Sequence, residues 1–130
     1  MGSHIVGKRF SFDAAHHLPS LPDGHKCRRI HGHTYTVEVC VGAPLLSGPG
    51  FVTDFCDLGP FGDYITTRLD HCDLNDVFDF EPTSELIAGH LAGWFTEHLQ
   101  PHIPGRLLWL RVSETPSTWA QYTVDDAEGT

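Results

Sequence analysis

The sequence predicts an α+β domain in which two helices cover one face of an antiparallel sheet. Three observations lead to this prediction. Strand-like segments with alternating side chains stand near both ends of the chain, two stretches with helical spacing lie between them, and there is no internal repeat. The chain has 130 residues and is 40% hydrophobic, enough for one hydrophobic core. We therefore expect residues 1–130 to form one domain.

Two strands are predicted in the N-terminal third. The first five residues begin with MGSH, which is native or a cloning scar, so we expect the fold to begin near Val6. Residues 8–15 alternate as a half-buried strand does, and His16 falls on the same face as Phe12. Residues 33–41 are rich in β-branched and aromatic side chains with period two, and turn residues follow them.

Between these strands, residues 18–29 contain two prolines and Gly24 and are expected to form a long loop. After the second strand, residues 51–54 are expected to return as a further strand. The first predicted helix then carries four apolar residues at helical spacing. These are Leu58, Phe61, Ile65 and Leu69.

The second half of the chain is predicted to hold one helix and two strands. Residues 70–82 are acidic and loop-like, and Thr83 or Ser84 is expected to cap a helix that ends before Pro101. The run at 107–112 predicts a buried strand, and 119–124 a final one. An acidic tail at 125–130 is expected to be frayed.

The charge pattern limits the classes of function. The net charge of −9 disfavours nucleic-acid binding, which requires a basic face. No apolar run reaches the roughly 18 residues of a membrane span, so we expect a cytoplasmic protein. Lys26, Arg28 and Arg29 form one positive spot beside a group of histidines. They suit a small anionic ligand, although loop arginines are more often simply solvated.

The four cysteines form no CxxC pair, which argues against a zinc ribbon or a redox motif. Cys40 and Cys56 stand in apolar surroundings and are expected to be buried, inert thiols. Cys27 lies in the basic loop, which favours the thiolate and makes it a candidate base or nucleophile. An inert role for Cys27 stays open at this stage.

Three histidines form a candidate metal site. His31 and His33 are two residues apart, so in a strand their side chains project to the same side. With His16 from the neighbouring strand they make three imidazole ligands, the set that leaves Zn²⁺ a fourth position for water or substrate. The alternative is that the pair decorates the surface of a chain with ten histidines. His17 points to the other face and is not counted as a ligand.

Two further motifs carry carboxylates. In Asp70–His71 the carboxylate can orient the imidazole for proton transfer, but a histidine at a helix end is also a common stabilising charge. Glu114 follows a hydrophobic strand and can accept two parallel hydrogen bonds from an amino-heterocycle such as guanine or pterin. A solvated strand end is the alternative for Glu114.

Five motifs occur in order: DAAHHL (13–18), GHKCRRIHGHTY (24–35), LDHCDLND (69–76), PTSE (82–85) and SET (113–115). In these motifs the chain resembles the 6-pyruvoyltetrahydropterin synthase family over residues 10–114. The short spacing from Cys27 to the HGH motif is similar to that of the bacterial 6-carboxytetrahydropterin synthases of this family. The 6-pyruvoyl enzymes tend to have a longer insertion there.

The resemblance implies the tunnelling fold, in which a four-stranded antiparallel sheet carries two helices on one face. Trimers of this fold close into a barrel, so the chain is expected to form a trimer or a dimer of trimers. The resemblance also implies a Zn²⁺ cofactor on His16, His31 and His33. It further implies proton transfer by Cys27 and the Asp70–His71 pair.

The implied substrate is 7,8-dihydroneopterin triphosphate, with Glu114 anchoring the pterin ring. Lys26, Arg28 and Arg29 are candidates to contact its triphosphate, and a solvated loop is the alternative for them. The implied products are 6-carboxy-5,6,7,8-tetrahydropterin, acetaldehyde and triphosphate, on a route to 7-deazapurines such as queuosine. One alternative is the 6-pyruvoyl reaction of the sister enzymes. An alternative of another class is a metal- or pterin-binding module without catalysis.

Overall fold

The computed structural model describes residues 2–124, which contain five strands and three α-helices. In chain order they are β1 (His4–His16), β2 (His31–Ala43), α1 (Gly59–Arg68), β3 (Cys72–Asp73), α2 (Leu74–Val77), α3 (Ser84–Trp94), β4 (Arg106–Thr115) and β5 (Thr118–Thr123). The tail at 125–130, which the sequence predicts to be frayed, lies outside the described residues.

The sheet has the order β3-β1-β2-β4-β5. The four long strands are antiparallel neighbours, as the sequence predicts. The strand β3 is an addition: its two residues pair in parallel with Ala14 and Ala15 at the outer edge of β1. The segment 70–82 therefore holds a short strand and the one-turn helix α2 where only a loop is expected.

The core lies between one sheet face and the helices α1 and α3. Alternate residues of the strands, including Phe12, Val37 and Leu110, are fully buried and face the helices. Phe61 of α1 packs against the aromatic ring of Phe95, with 5.5 Å between ring centroids. The prediction of an α+β fold with both long helices on one sheet face is confirmed.

Several element bounds differ from the sequence predictions. The strand β1 begins at His4 rather than near Val6, because His4 pairs with Ala43 at the far end of β2. Residues 51–54 do not form the expected strand: Phe51 makes a single bridge to Ser47 in a tight turn. The backbone N–H and carbonyl groups of Ser47 and Phe51 bond to each other, so Phe51 does not pair with a strand of the sheet.

The helix predictions hold with shifted ends. A 3-10 turn at Phe55–Leu58 precedes α1, and Pro60 stands in the first helical turn, where its missing N–H costs nothing. Thr83 caps α3 by accepting a hydrogen bond from the backbone N–H of Leu86. The predicted second helix continues to Leu99 as a turn of π-helix.

The sheet face turned away from the helices is open in the single chain. It carries Arg111 stacked between Trp109 and Trp119, with 4.6 and 4.3 Å from the guanidinium carbon to the ring centroids. The four cysteines are free thiols; Cys40 is buried as expected, but Cys56 is exposed, because it lies on the outside of the 3-10 turn before α1. Within residues 2–124, no helix has the length and apolar character needed to cross a membrane.

Candidate metal centre and active site

Three imidazoles meet at one end of the β1–β2 pair. His16 is the last residue of β1 and lies opposite His31, the first residue of β2, while His33 lies two residues further on. The three ring centroids are 4.6 to 5.1 Å apart. One nitrogen from each ring lies within 4.8 Å of the other two. The strand register alone thus produces a cluster of three ligand atoms.

Backbone carbonyls fix the orientation of two of these rings. The Nδ1 atom of His16 is 2.9 Å from the carbonyl oxygen of Pro82, and Nδ1 of His31 is 2.7 Å from that of Arg29. A proton on each Nδ1 completes these hydrogen bonds and leaves Nε2 as a lone-pair donor. Such contacts are typical of histidines that hold a metal ion.

Two buried ring nitrogens of this cluster lack a hydrogen-bond partner within the described part of the chain. Among residues 2–124, Nε2 of His16 and Nε2 of His33 are buried and make no hydrogen bond. Burial lowers the pKa of His33, although the charge of Glu114 opposes the shift. The lowered pKa favours the neutral, metal-binding form of the ring. Three imidazoles with converging ring nitrogens, two of which are buried without a hydrogen-bond partner among the described residues, fit a divalent cation with an open fourth position.

Glu114 stands beside the cluster. Its Oε2 atom is 3.6 Å from Nε2 of His33, and its Oε1 accepts a hydrogen bond of 2.8 Å from Oγ of Ser84. Ser84 is the first residue of α3, so the helix start holds the carboxylate at the end of β4. Each carboxylate oxygen has a further lone pair available for a ligand. The contact with Ser84 was not part of the sequence predictions.

Tyr35 is a second residue that sequence reasoning missed. It lies two residues after His33 on the same strand face, and its ring centroid is 5.8 and 5.5 Å from those of His16 and His33. Its hydroxyl is buried and has no hydrogen-bond partner among the described residues. Burial, with a smaller contribution from Glu114, raises its pKa. The period of two in the strand was the signal that could have identified it.

Cys27 lies in a 3-10 turn at Lys26–Arg28 and is half-buried. Its carbonyl accepts a hydrogen bond of 2.9 Å from the backbone N–H of Leu18, two residues after His16. This bond returns the loop to the end of β1. The structure therefore places the turn that carries Cys27 at the same end of the sheet as the three histidines.

Asp70 and His71 belong to a different group. A carboxylate oxygen of Asp70, a ring nitrogen of His71 and a carboxylate oxygen of Asp13 lie within 4.8 Å of one another. Asp13 is on the sheet face opposite His16, since the two are three residues apart in a strand. A groove of about 610 Å³ beside the pair is lined by His71 and also by His33. Thus the single chain places Glu114 directly beside the histidines, and it places Asp70–His71 in a separate group that shares an open groove with His33.

Arg28 and Lys26, which are predicted to contact the triphosphate, differ in the partners of their side chains. Arg28 donates from Nη1 to the carbonyl oxygens of Pro19 and Leu21 and lies 3.3 Å from a carboxylate oxygen of Asp23. It braces the loop that carries Cys27. Lys26 is exposed on the same turn. A role of either residue in phosphate binding stays a prediction.

His17, which is predicted not to bind the metal ion, lies outside the cluster of His16, His31 and His33. Its backbone N–H and carbonyl are both held by the side-chain amide of Asn75, in helix α2. These two bonds tie the end of β1 to the segment after Asp70–His71.

The fold and the histidine cluster together define a small α+β enzyme with a candidate metal centre at the end of its sheet. A family model described as 6-pyruvoyl tetrahydropterin synthase matches residues 5–125. The chain belongs to this family, and it is a pterin-processing lyase.

Three relatives illustrate the range of the family. The chain is 40% identical over 124 residues to a 6-carboxy-5,6,7,8-tetrahydropterin synthase of Synechocystis, covering 91% of this chain and 92% of the relative. It is 34% identical to a dihydroneopterin monophosphate aldolase of Pyrococcus furiosus, covering 81% and 82%. The structure of a 6-pyruvoyl tetrahydropterin synthase of Caenorhabditis elegans superposes with a TM-score of 0.81 at 24% identity, covering 96% and 98%. The structural likeness supports the fold, and the sequence matches support the family.

Proposed function

We propose that the chain is a zinc-dependent 6-carboxytetrahydropterin synthase that acts on 7,8-dihydroneopterin triphosphate. The observation that carries the proposal is the cluster of His16, His31 and His33, with buried nitrogens that lack partners, directly beside Glu114. A metal site and a carboxylate that suits a pterin ring thus stand together. The similarity to the Synechocystis enzyme, at 40% identity, supports this substrate class.

The proposed reaction consumes one water and releases 6-carboxy-5,6,7,8-tetrahydropterin, acetaldehyde and triphosphate. When bound, Zn²⁺ supplies Lewis-acid polarisation of a side-chain oxygen of the substrate. Glu114 accepts two hydrogen bonds from the amino-pyrimidinone edge of the pterin and fixes its orientation. Cys27, as the thiolate, removes a proton on one side of the substrate side chain, and His71, oriented by Asp70, donates a proton on the other.

The choice between carboxy and pyruvoyl products rests on the catalytic loop. His31 follows Cys27 by only four positions, and Cys27 itself lies in the 3-10 turn Lys26–Arg28, where its carbonyl accepts the backbone bond from Leu18. The short loop favours the 6-carboxy reaction. A second candidate is aldol cleavage of a dihydroneopterin phosphate without further conversion, because a relative named for that reaction is 34% identical.

Mass spectrometry of the products separates these reactions. Zinc-loaded protein is incubated with 7,8-dihydroneopterin triphosphate, with Cys27→Ala protein in parallel. We expect carboxytetrahydropterin and acetaldehyde from the wild type and neither from the variant. A pyruvoyl product would move the chain to the sister reaction, and a hydroxymethyl pterin would identify an aldolase. Bound zinc without any turnover would favour a binding module.

The proposal includes assembly of copies into trimers, singly or as a dimer of trimers. The strands β3 and β5 are the two edges of the sheet, so edge-to-edge joining of copies closes it into a barrel. Such joining brings the β3 edge of one copy, which directly follows Asp70–His71 in the chain, next to a second copy. Mixing Cys27→Ala with His71→Ala protein tests this point, since shared sites regain activity in mixed oligomers and separate sites do not.

The remaining parts of the proposal come from the sequence. We treat residues 1–130 as one domain in the cytoplasm and assign Lys26 and Arg28 to the triphosphate. The product suits a route to 7-deazapurines, including queuosine. Substrate affinity that falls as salt rises would support the assignment of the two basic residues, and affinity independent of salt would remove it.

A further inference from the structure

Asp13 approaches the Asp70–His71 pair with its backbone N–H, its backbone carbonyl and its carboxylate. Its backbone N–H donates a hydrogen bond of 2.9 Å to Oδ1 of Asp70, and its carbonyl accepts one of 2.6 Å from the backbone N–H of His71. Its own carboxylate lies within 4.8 Å of the His71 ring nitrogen. One residue of β1 therefore contacts the pair through its backbone and its side chain.

The contacts hold His71 in a rare conformation. His71 has φ of 61°, the only positive φ outside glycine in the described chain. The left-handed region costs a residue with a side chain roughly 1 kcal/mol or more, and it persists where the surroundings impose it. The hydrogen bond from the His71 N–H to the Asp13 carbonyl and the pairing of Cys72 with Ala14 hold the backbone on both sides of this position. The His71 side chain is 79% exposed and has a ring nitrogen within 4.8 Å of carboxylate oxygens of Asp13 and Asp70.

The Asp13 carboxylate is itself held in place. Oγ of Thr34, directly across the β1–β2 ladder, donates a hydrogen bond of 2.6 Å to Oδ1 of Asp13. Thr34 thus fixes the carboxylate on the same face as the His71 ring. The other oxygen of Asp13 remains able to accept a hydrogen bond from an imidazole N–H.

We propose that Asp13, held by Thr34, is a positioning residue for His71. Together with Asp70, whose Oδ2 is 3.6 Å from Nε2 of His71, it places carboxylates around the ring. Two carboxylates near one ring nitrogen favour the tautomer and the ring orientation that keep the N–H on that nitrogen, which is what a proton donor requires. The inference rests on the proposed function of His71 as the acid, and it adds a residue that acts through His71.

Asp13→Asn tests the charge, because it keeps the backbone bonds and the size of the side chain. We expect kcat to fall about tenfold, which corresponds to about 1.4 kcal/mol, with KM and zinc content within about twofold of the wild type. Thr34→Val frees the carboxylate and lowers kcat in the same direction by about threefold. In a His71→Ala background, Asp13→Asn should change kcat by less than about twofold.

A readout without substrate separates this inference from the proposed reaction. Ring-nitrogen chemical shifts of His71, recorded above the pH range in which imidazoles titrate, report its tautomer. Asp13→Asn should shift them, while the shifts of the exposed His102 stay in place. Unchanged His71 shifts, or an equal loss of kcat with and without His71, would overturn the role of Asp13. If the wild type has no turnover, the shifts alone still decide it.

Discussion

Replacement of Ser84 by alanine should loosen the carboxylate that we assign to the pterin ring. Oγ of Ser84 donates to Oε1 of Glu114 at 2.8 Å, while the other carboxylate oxygen of Glu114 lies 3.6 Å from Nε2 of His33 in β2. The variant leaves α3 intact, because Thr83 and not Ser84 caps it. The change therefore acts on the orientation of Glu114 with little effect on folding.

The size of the effect follows from the type of bond. A hydrogen bond to a charged group contributes about 1.5–3 kcal/mol. Ser84 and Glu114 are half-buried, so water compensates in part and the lower end applies. About 1.4 kcal/mol corresponds to a tenfold change in affinity. In the proposed function Glu114 binds the pterin ring equally in substrate and transition state, so the predicted loss falls on KM.

Initial rates over a range of substrate concentrations measure this effect. We expect KM to rise about tenfold and kcat to change by less than about threefold. Ser113→Ala is the matched control, since it removes a hydroxyl from the neighbouring residue, which faces the other side of β4. An unchanged KM in Ser84→Ala, or an equal rise in both variants, would refute the assignment of Glu114.

Three further predictions concern the metal, the thiol and the acid stability. His31→Ala should weaken zinc binding by more than about tenfold in a competition titration with a chromogenic chelator, and zinc retained at full affinity would contradict its role as a ligand. Cys27→Ala should lower kcat by about 10²–10⁴-fold with zinc content unchanged, whereas Cys56→Ala, at an exposed position, should leave kcat unchanged. Similar kcat values in the two variants would exclude the Cys27 thiol from catalysis. Burial lowers the pKa of His90, so this imidazole takes up a proton at higher pH in the unfolded chain than in the folded one. As the pH falls below about 6.5, the free energy of unfolding of the metal-free protein should therefore decline. Urea denaturation should show a smaller decline for His90→Gln, and an identical pH dependence would argue against this source.

The histidine cluster was predictable because it depends on local rules. The strand period places His31 and His33 on one side of β2, and the antiparallel register places His16 opposite His31. Family motifs then supported the same three residues. The two long helices were predictable for a similar reason, since apolar spacing and a capping threonine mark them in the sequence.

The rest of the site depends on contacts between distant segments. The bond from Ser84 to Glu114 spans 30 residues, and that from Asp13 to Asp70 spans 57. No periodicity reports such pairs. The positive φ of His71 also escapes sequence reasoning, because a histidine gives no signal of the kind that glycine gives. The expected strand at 51–54 did not form, because Phe51 bonds to Ser47 in a local turn instead of pairing with the sheet.

The most direct test of the central claim is the amount of carboxytetrahydropterin formed as zinc is added to metal-free protein. We predict that product formation rises with added zinc and reaches its limit at one zinc ion per chain. It should stay near zero when His16 is replaced by alanine. Full product formation without zinc would contradict the account. So would zinc bound at one ion per chain with no carboxytetrahydropterin formed.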